Sequence, residues 1–203
     1  MNISDIERQF LSAAKNSDLT KVKYYFDLGA NINSTDKNFK TSILIATELN
    51  NVEMVRWLVQ EGAEIDFIKK PDGTIDNTPF LYAGANGLDD ILDILIPQKP
   101  DVNILNGYGG NALIPACEKG FVNTVKKLLE NTNVDVNSVN NLGLTALLEA
   151  IILGNGAISH QQIIKLLLKH GANSNIGDSD GVLPITHARK KGFKEIVDIL
   201  ETI

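Results

Sequence analysis

Few residues in this chain have chemical potential, and their spacing does not assemble them into a site. Gly107-Tyr108-Gly109-Gly110-Asn111-Ala112 fits Gly-x-Gly-x-x-Ala, a pattern whose glycines let backbone approach a dinucleotide pyrophosphate. That chemistry needs a parallel βαβ frame around the loop, and no second such unit accompanies it. The alternative is a turn in which Gly109 and Gly110 supply positive φ. No Gly-x-x-x-x-Gly-Lys-Ser/Thr phosphate loop occurs anywhere. The three histidines, His160, His170 and His187, form no His-x-x-x-His pair, and one cysteine adds little to a zinc set. Cys117 beside Glu118 and Lys119 lacks a histidine in phase with it, so a structural thiol fits better than a nucleophile. Asp89 and Asp90 open a predicted helix, where negative charge suits the N-terminus, and Asp93 follows them. No catalytic group, metal or cofactor is expected.

Composition narrows the classes further. The 203 residues are 43% hydrophobic and 22% charged, enough apolar content for a substantial core. A net charge of −6 argues against nucleic acid or an anionic membrane as the main partner. A lone cysteine permits no internal disulfide and fits a reducing compartment. Neither an N-terminal signal pattern nor an apolar run of about 18 residues is seen, so a cytoplasmic location is expected.

The elements that must position any site announce themselves by repetition. Gly29-Ala30, Gly62-Ala63 and Gly171-Ala172 each close a helix-like run. Short tails follow them: Asn31-Ile32-Asn33, Glu64-Ile65-Asp66 and Asn173-Ser174-Asn175. Asp101-Val102-Asn103 and Asp135-Val136-Asn137 are the same tail without Gly-Ala. Upstream lies a second motif, from Thr41 to Ala46, Thr78 to Ala83, Asn111 to Ala116, Thr145 to Ala150 and Leu183 to Ala188. Arg8 to Ala13 is a degenerate first copy. Successive copies start 33, 37, 33, 34 and 38 residues apart, so the longer intervals are insertions that keep phase. A fixed period in this range marks a repeat architecture.

Local chemistry supports the phase. Pro79 and Pro184 suit a first helical turn. The alanines closing each motif let helices of adjacent repeats approach. Gly87, Gly120, Gly154 and Gly192 are expected to end first helices in the left-handed region. Second helices then carry Val55 and Leu58, Ile91 and Leu95, Val125 and Leu128, Ile164 and Leu167, Val197 and Leu200 at helical spacing. Stacked neighbours must complete that core.

The combined pattern resembles the ankyrin repeat, Thr-Pro-Leu-His-x-Ala followed by a glycine turn, a Val-Leu-Leu helix and Gly-Ala-Asp-Val-Asn. The resemblance covers 1–203 as a single domain and implies an all-α helix-turn-helix solenoid of six repeats with short β-hairpin fingers. The repeats run 4–33 as N-terminal cap, 34–66, 67–103, 104–137, 138–175 and 176–203 as C-terminal cap. The family histidine is replaced by Leu11, Leu44, Leu81, Ile114, Leu148 and Thr186, so its bonds to neighbouring loops must be absent or replaced.

The resemblance also implies a concave surface of finger tips and first helices that grips a protein partner. Transferred position by position, the partner-facing residues are Lys37, Asn38, Phe39, Lys40, Glu48, Asn77, Asn86, Tyr108, Lys119, Leu142 and Leu144. Phe39 replaces a glycine common at its tip, and stacking demands neither it nor Tyr108. Aromatic anchors flanked by polar groups are what interface hot spots use, although each ring could also fold back on its own finger. Trp57 reads as packing. Lys69-Lys70-Pro71-Asp72-Gly73 lengthens one finger, and Asn155 to His160 reads as a surface insertion in a helix turn. The expected function is a monomeric, non-catalytic protein-binding module. An inhibitory or immunity-type subunit masking an enzyme is the alternative, and an enzyme or small-molecule binder is disfavoured.

Overall fold

The computed structural model describes residues 3–66 and 77–202, and helices dominate them. They are α1 (Ile3–Lys15), α2 (Leu19–Asp27), α3 (Ser42–Glu48), α4 (Val52–Gln60), α5 (Pro79–Ala85) and α6 (Asp89–Leu95). After a 3-10 turn at Ile96–Gln98 come α7 (Leu113–Glu118), α8 (Val122–Asn131), α9 (Ala146–Ile152), α10 (Ile158–Lys169), α11 (Pro184–Lys191) and α12 (Lys194–Glu201). The long finger at Lys69 to Gly73 lies outside the described residues.

Two compact units divide the chain. One runs through Ala83 and takes in Asp90–Pro100; the other comprises Gly84–Asp89 and everything from Asp101. In the first, α1 packs on α2 and on α3, and α3 packs on α4. In the second, α7, α9 and α11 form one row and α8, α10 and α12 another, each first helix lying against its own second helix.

The motif positions explain why these segments pair. Thr41, Thr78 and Thr145 accept the N–H of Leu44, Leu81 and Leu148, and Asn111 does the same for Leu113 and Ile114. Each such cap is worth about 1 kcal/mol. Ala14, Ala46, Ala83, Ala116, Ala150 and Ala188 are fully buried, which close helix approach requires. Phe10, Ile43, Met54 and Leu58 fill the first unit's core; Leu113, Leu128, Leu147 and Leu148 fill the second's.

Two local expectations change. Gly154 does not lie in the left-handed region. A Cβ at Gly154 would run into the Ala150 carbonyl and the His160 ring, and the left-handed residue of that turn is Gly156 at φ 72°. The fingers are also shorter than strands. Among the described residues they reduce to single antiparallel bridges, Thr35 with Thr41 and Val139 with Thr145.

The missing family histidine is compensated by asparagine. Asn33 Oδ1 accepts the Glu64 N–H at 3.0 Å while its Nδ2 donates to Glu64 Oε1 at 3.0 Å. Asn137 repeats this three repeats later, accepting from Asn173 N at 2.8 Å and donating to the Gly171 carbonyl at 3.1 Å. Asn111 Nδ2 ties its own repeat, reaching the Asp135 carbonyl at 2.9 Å. Loop ties between successive repeats therefore exist without histidine.

Candidate functional site

Four finger tips are built to one plan. Asp36, Asn106, Asn140 and Asp178 each open a tip, and the side-chain Oδ1 accepts N–H groups two and four residues on. The donors are Asn38 and Lys40, Tyr108 and Gly110, Leu142 and Leu144, and Asp180 and Val182, all at 2.8–3.0 Å. These side-chain-to-backbone bonds satisfy donors that a five-residue tip cannot pair within itself. The tips are consequently set before any partner arrives.

The fourth position of each tip lies in the left-handed region. Glycine stands there at Gly109, Gly143 and Gly181, with φ of 71°, 78° and 74°. Phe39 holds the same position at φ 61°, where a side chain costs about 1 kcal/mol or more. A Cβ at Gly109 would run into the Asn141 side chain of the following tip, and one at Gly143 would sit tight against Ser179 of the next. The Asn141 N–H further donates to the Tyr108 carbonyl at 2.9 Å, so these two tips lie side by side.

Phe39 is 41% exposed, Tyr108 74% and Leu142 59%. Leu144, grouped with them on sequence, is only 9% exposed and belongs to the packing beneath its tip. Lys37 and Asn38 are exposed. Lys40 and Glu48 pair with each other at 2.7 Å. Lys15 holds Asp36 at 2.7 Å. Burial opposes the charge on Asp36, but Lys15 and the N–H groups of Lys40 and Asn38 hold its pKa below the ordinary value. Beside this tip an open groove of about 460 Å³ is lined by Arg8, Leu11, Ser12, Lys15 and Lys37, among others. Asn77 is half-buried.

Lys119 is exposed yet engaged, its Nζ donating to the Ala85 carbonyl at 2.6 Å and lying 3.4 Å from Asn86 Oδ1. Last-turn carbonyls lack intrahelical partners, and a cation suits that end of the dipole. His160 Nε2 meets the Glu118 carbonyl at 2.9 Å and Lys191 Nζ the Gly154 carbonyl at 3.4 Å. Three successive first helices are thus closed by a donor from the next repeat. The insertion ending at His160 is therefore no mere surface excursion, since that ring is buried.

Two tip-opening residues are also pinned to the first helix that follows them. Asn140 Nδ2 donates to Glu149 Oε1 at 2.8 Å, and His187 Nε2 lies 2.7 Å from Asp178 Oδ2. Sequence reasoning missed both pairs, although a common spacing separates the partners. Glu149 is 3% exposed and its Oε2 has no hydrogen-bond partner among the described residues. Burial raises its pKa, the bond from Asn140 opposes that rise, and the negative charge of Glu118 adds to it. Burial, with Glu149 nearby, pushes the Cys117 thiol well up, which makes it a poor nucleophile. Trp57 is half-buried, edge-on to Phe26 at 5.5 Å with Lys23 over its ring. Among the described residues no group of three His, Cys, Asp or Glu side chains is placed to hold a metal. No described helix is long and apolar enough to cross a membrane.

Comparison with known proteins converges on one family. The sequence profile described as ankyrin repeats (3 copies) matches residues 10–105, 80–158 and 113–201. A putative ankyrin repeat protein of Escherichia coli K12, YahD, is 42% identical over 200 residues, covering 98% of each chain. The crystal structure of an ankyrin repeat domain from Acinetobacter baumannii AYE superimposes with a TM-score of 0.88 at 42% identity, covering 95% of this chain and 96% of that one. The ankyrin repeat protein EF0377 gives 0.89 at 38% identity, covering 96% and 97%. Ankyrin repeats are generally non-catalytic modules for protein–protein interaction. Helix pairs, capped motifs and turn-built tips, together with these likenesses, place the chain in the ankyrin repeat family as an all-α helix-turn-helix solenoid.

Proposed function

We infer that the chain is a non-catalytic module that holds a protein partner through its finger tips. In the first unit the contact residues are Phe39 with Lys37 and Asn38; in the second they are Tyr108 and Leu142. The observation that carries this reading is Phe39. A bulky apolar ring occupies a left-handed tip position that glycine fills in three equivalent tips, and much of it faces solvent. Folding alone favours glycine there, so the phenylalanine serves something outside the fold. The tips are fixed by their own side chains, so docking orders little backbone, and the free energy of contact is retained as affinity. Lys40 and Glu48 pair with each other, and Lys119 is bonded to Ala85 and Asn86, so these four are already engaged within the chain.

Affinity capture with the whole chain and with a Phe39→Ala, Tyr108→Ala double variant tests the reading. The partner recovered by the parent is expected to be lost by the variant while the melting temperature stays within error. Equal recovery by both would remove the tips from the interface. A tightly bound metabolite recovered in place of a protein would point to small-molecule binding.

A further inference from the structure

We propose that the two adjacent tips at 106–110 and 140–144 dock an extended partner segment carrying bulky apolar side chains among lysines or arginines. This rests on the tip-binding reading above and names the chemistry of the segment. Leu105 and Tyr108 on one tip, and Val139 and Leu142 on the next, are all exposed. The matching positions of the other two described tips are polar or small: Thr35 and Asn38, and Gly177 and Asp180. Apolar display at these two positions is therefore confined to the pair of tips joined by the Asn141–Tyr108 backbone bond.

The tips themselves carry charge of one sign. Stretches 105–110, 139–144 and 177–182 contain no lysine or arginine, and the last supplies Asp178 and Asp180. On the first helices Glu118 stands beside Lys119, which is tied to the Ala85 carbonyl, and Glu149 is buried. The remaining cations, on α11, are partly engaged: Arg189 pairs with Glu201 at 2.6 Å and Lys191 lies against the Gly154 carbonyl. Apolar anchors with Asp178 and Asp180 on the neighbouring tip complement a cationic, apolar segment and disfavour phosphate backbones. They disfavour a second copy of this chain as well, whose tips carry the same groups and whose net charge is −6.

Fluorescence anisotropy on the full chain tests this with three labelled synthetic peptides. Each carries the same leucine anchors, flanked by lysine and arginine, by serine, or by glutamate. The basic peptide is expected to bind about tenfold or more tighter than the acidic one, and added salt should weaken it. Tyr108→Ala with Leu142→Ala, and separately Asp180→Lys, should each lower its affinity severalfold. Equal or better binding of the serine or glutamate peptide overturns the proposal, as does no binding of the basic one or indifference to Asp180→Lys. If binding follows Tyr108 and Leu142 without charge preference, the proposed chemistry falls and the tip interface stands. If no tip substitution alters any binding, the tip interface falls too.

Discussion

His187 Nε2 lies 2.7 Å from Asp178 Oδ2, pinning the residue that opens the last finger tip to the helix that follows it. The same carboxylate accepts the N–H groups of Asp180 and Val182 through Oδ1. One side chain therefore shapes the tip and anchors it.

That double duty sets an acid limit on the tip. The Val182 N–H holds the Asp178 carboxyl below its ordinary pKa; partial burial opposes this, and His187 and the Asp180 N–H assist. A depressed carboxylate contributes stability above its unfolded pKa, and that contribution is lost as pH falls through the folded value. Amide exchange at Val182 is expected to accelerate relative to the rest of the chain below about pH 4. Asp178→Asn keeps the Oδ1 acceptor, as Asn106 and Asn140 do, and should abolish that acid step. Persistence of the step in Asp178→Asn would place its origin elsewhere.

Glu149 behaves in the opposite sense. Its folded pKa is raised, so its contribution to stability is full below the unfolded carboxylate range and is lost as pH climbs through the folded value. Glu149→Gln retains an acceptor for Asn140 and removes a charge that is buried with one oxygen unpartnered. The variant should melt higher than the parent at neutral pH, and the gap should close toward pH 4. A gap independent of pH, measured by thermal unfolding across that range, would show that the carboxylate charge is not the cause.

The repeat phase, the buried alanines and the second-helix stripe were legible because each rests on residue type and spacing along the chain. Contacts that cross from one repeat to the next were not. Lys119 reaches Ala85 and His160 reaches Glu118 over 34 and 42 residues, and nothing local marks a lysine or histidine for that task. The tip plan was half visible. An Asp or Asn three residues before glycine recurs at 106, 140 and 178, and Asp36 before Phe39 fits only once glycine is not required. Pins to the following helix escaped notice because Asn140–Glu149 and Asp178–His187 share a separation but not a chemistry.

Phe39 separates folding from function most sharply. Phe39→Gly relieves a side chain at φ 61° and should raise unfolding free energy by up to about 1 kcal/mol, offset in part by the entropy glycine adds to the unfolded chain. The same substitution should weaken partner capture. Phe39→Ala should weaken capture without the gain, because alanine keeps the Cβ. Denaturant unfolding and capture, run on both variants, check the pair. If Phe39→Gly is clearly less stable than the parent, the ring contributes to the fold and its tip role is lost.

Leu142 and Leu144 give the complementary contrast within one tip. They are two residues apart, yet Leu142 is 59% exposed and Leu144 9%. Both N–H groups bond to Asn140 Oδ1, so their backbones are equally fixed and the difference lies in what each side chain touches. Leu144→Ala deletes buried methyl groups and should cost about 2–5 kcal/mol. Leu142→Ala should change stability by no more than about 0.5 kcal/mol while weakening partner binding. Equal destabilisation by the two, read from denaturant midpoints at unchanged slope, would mean that Leu142 is covered in solution and unavailable to a partner.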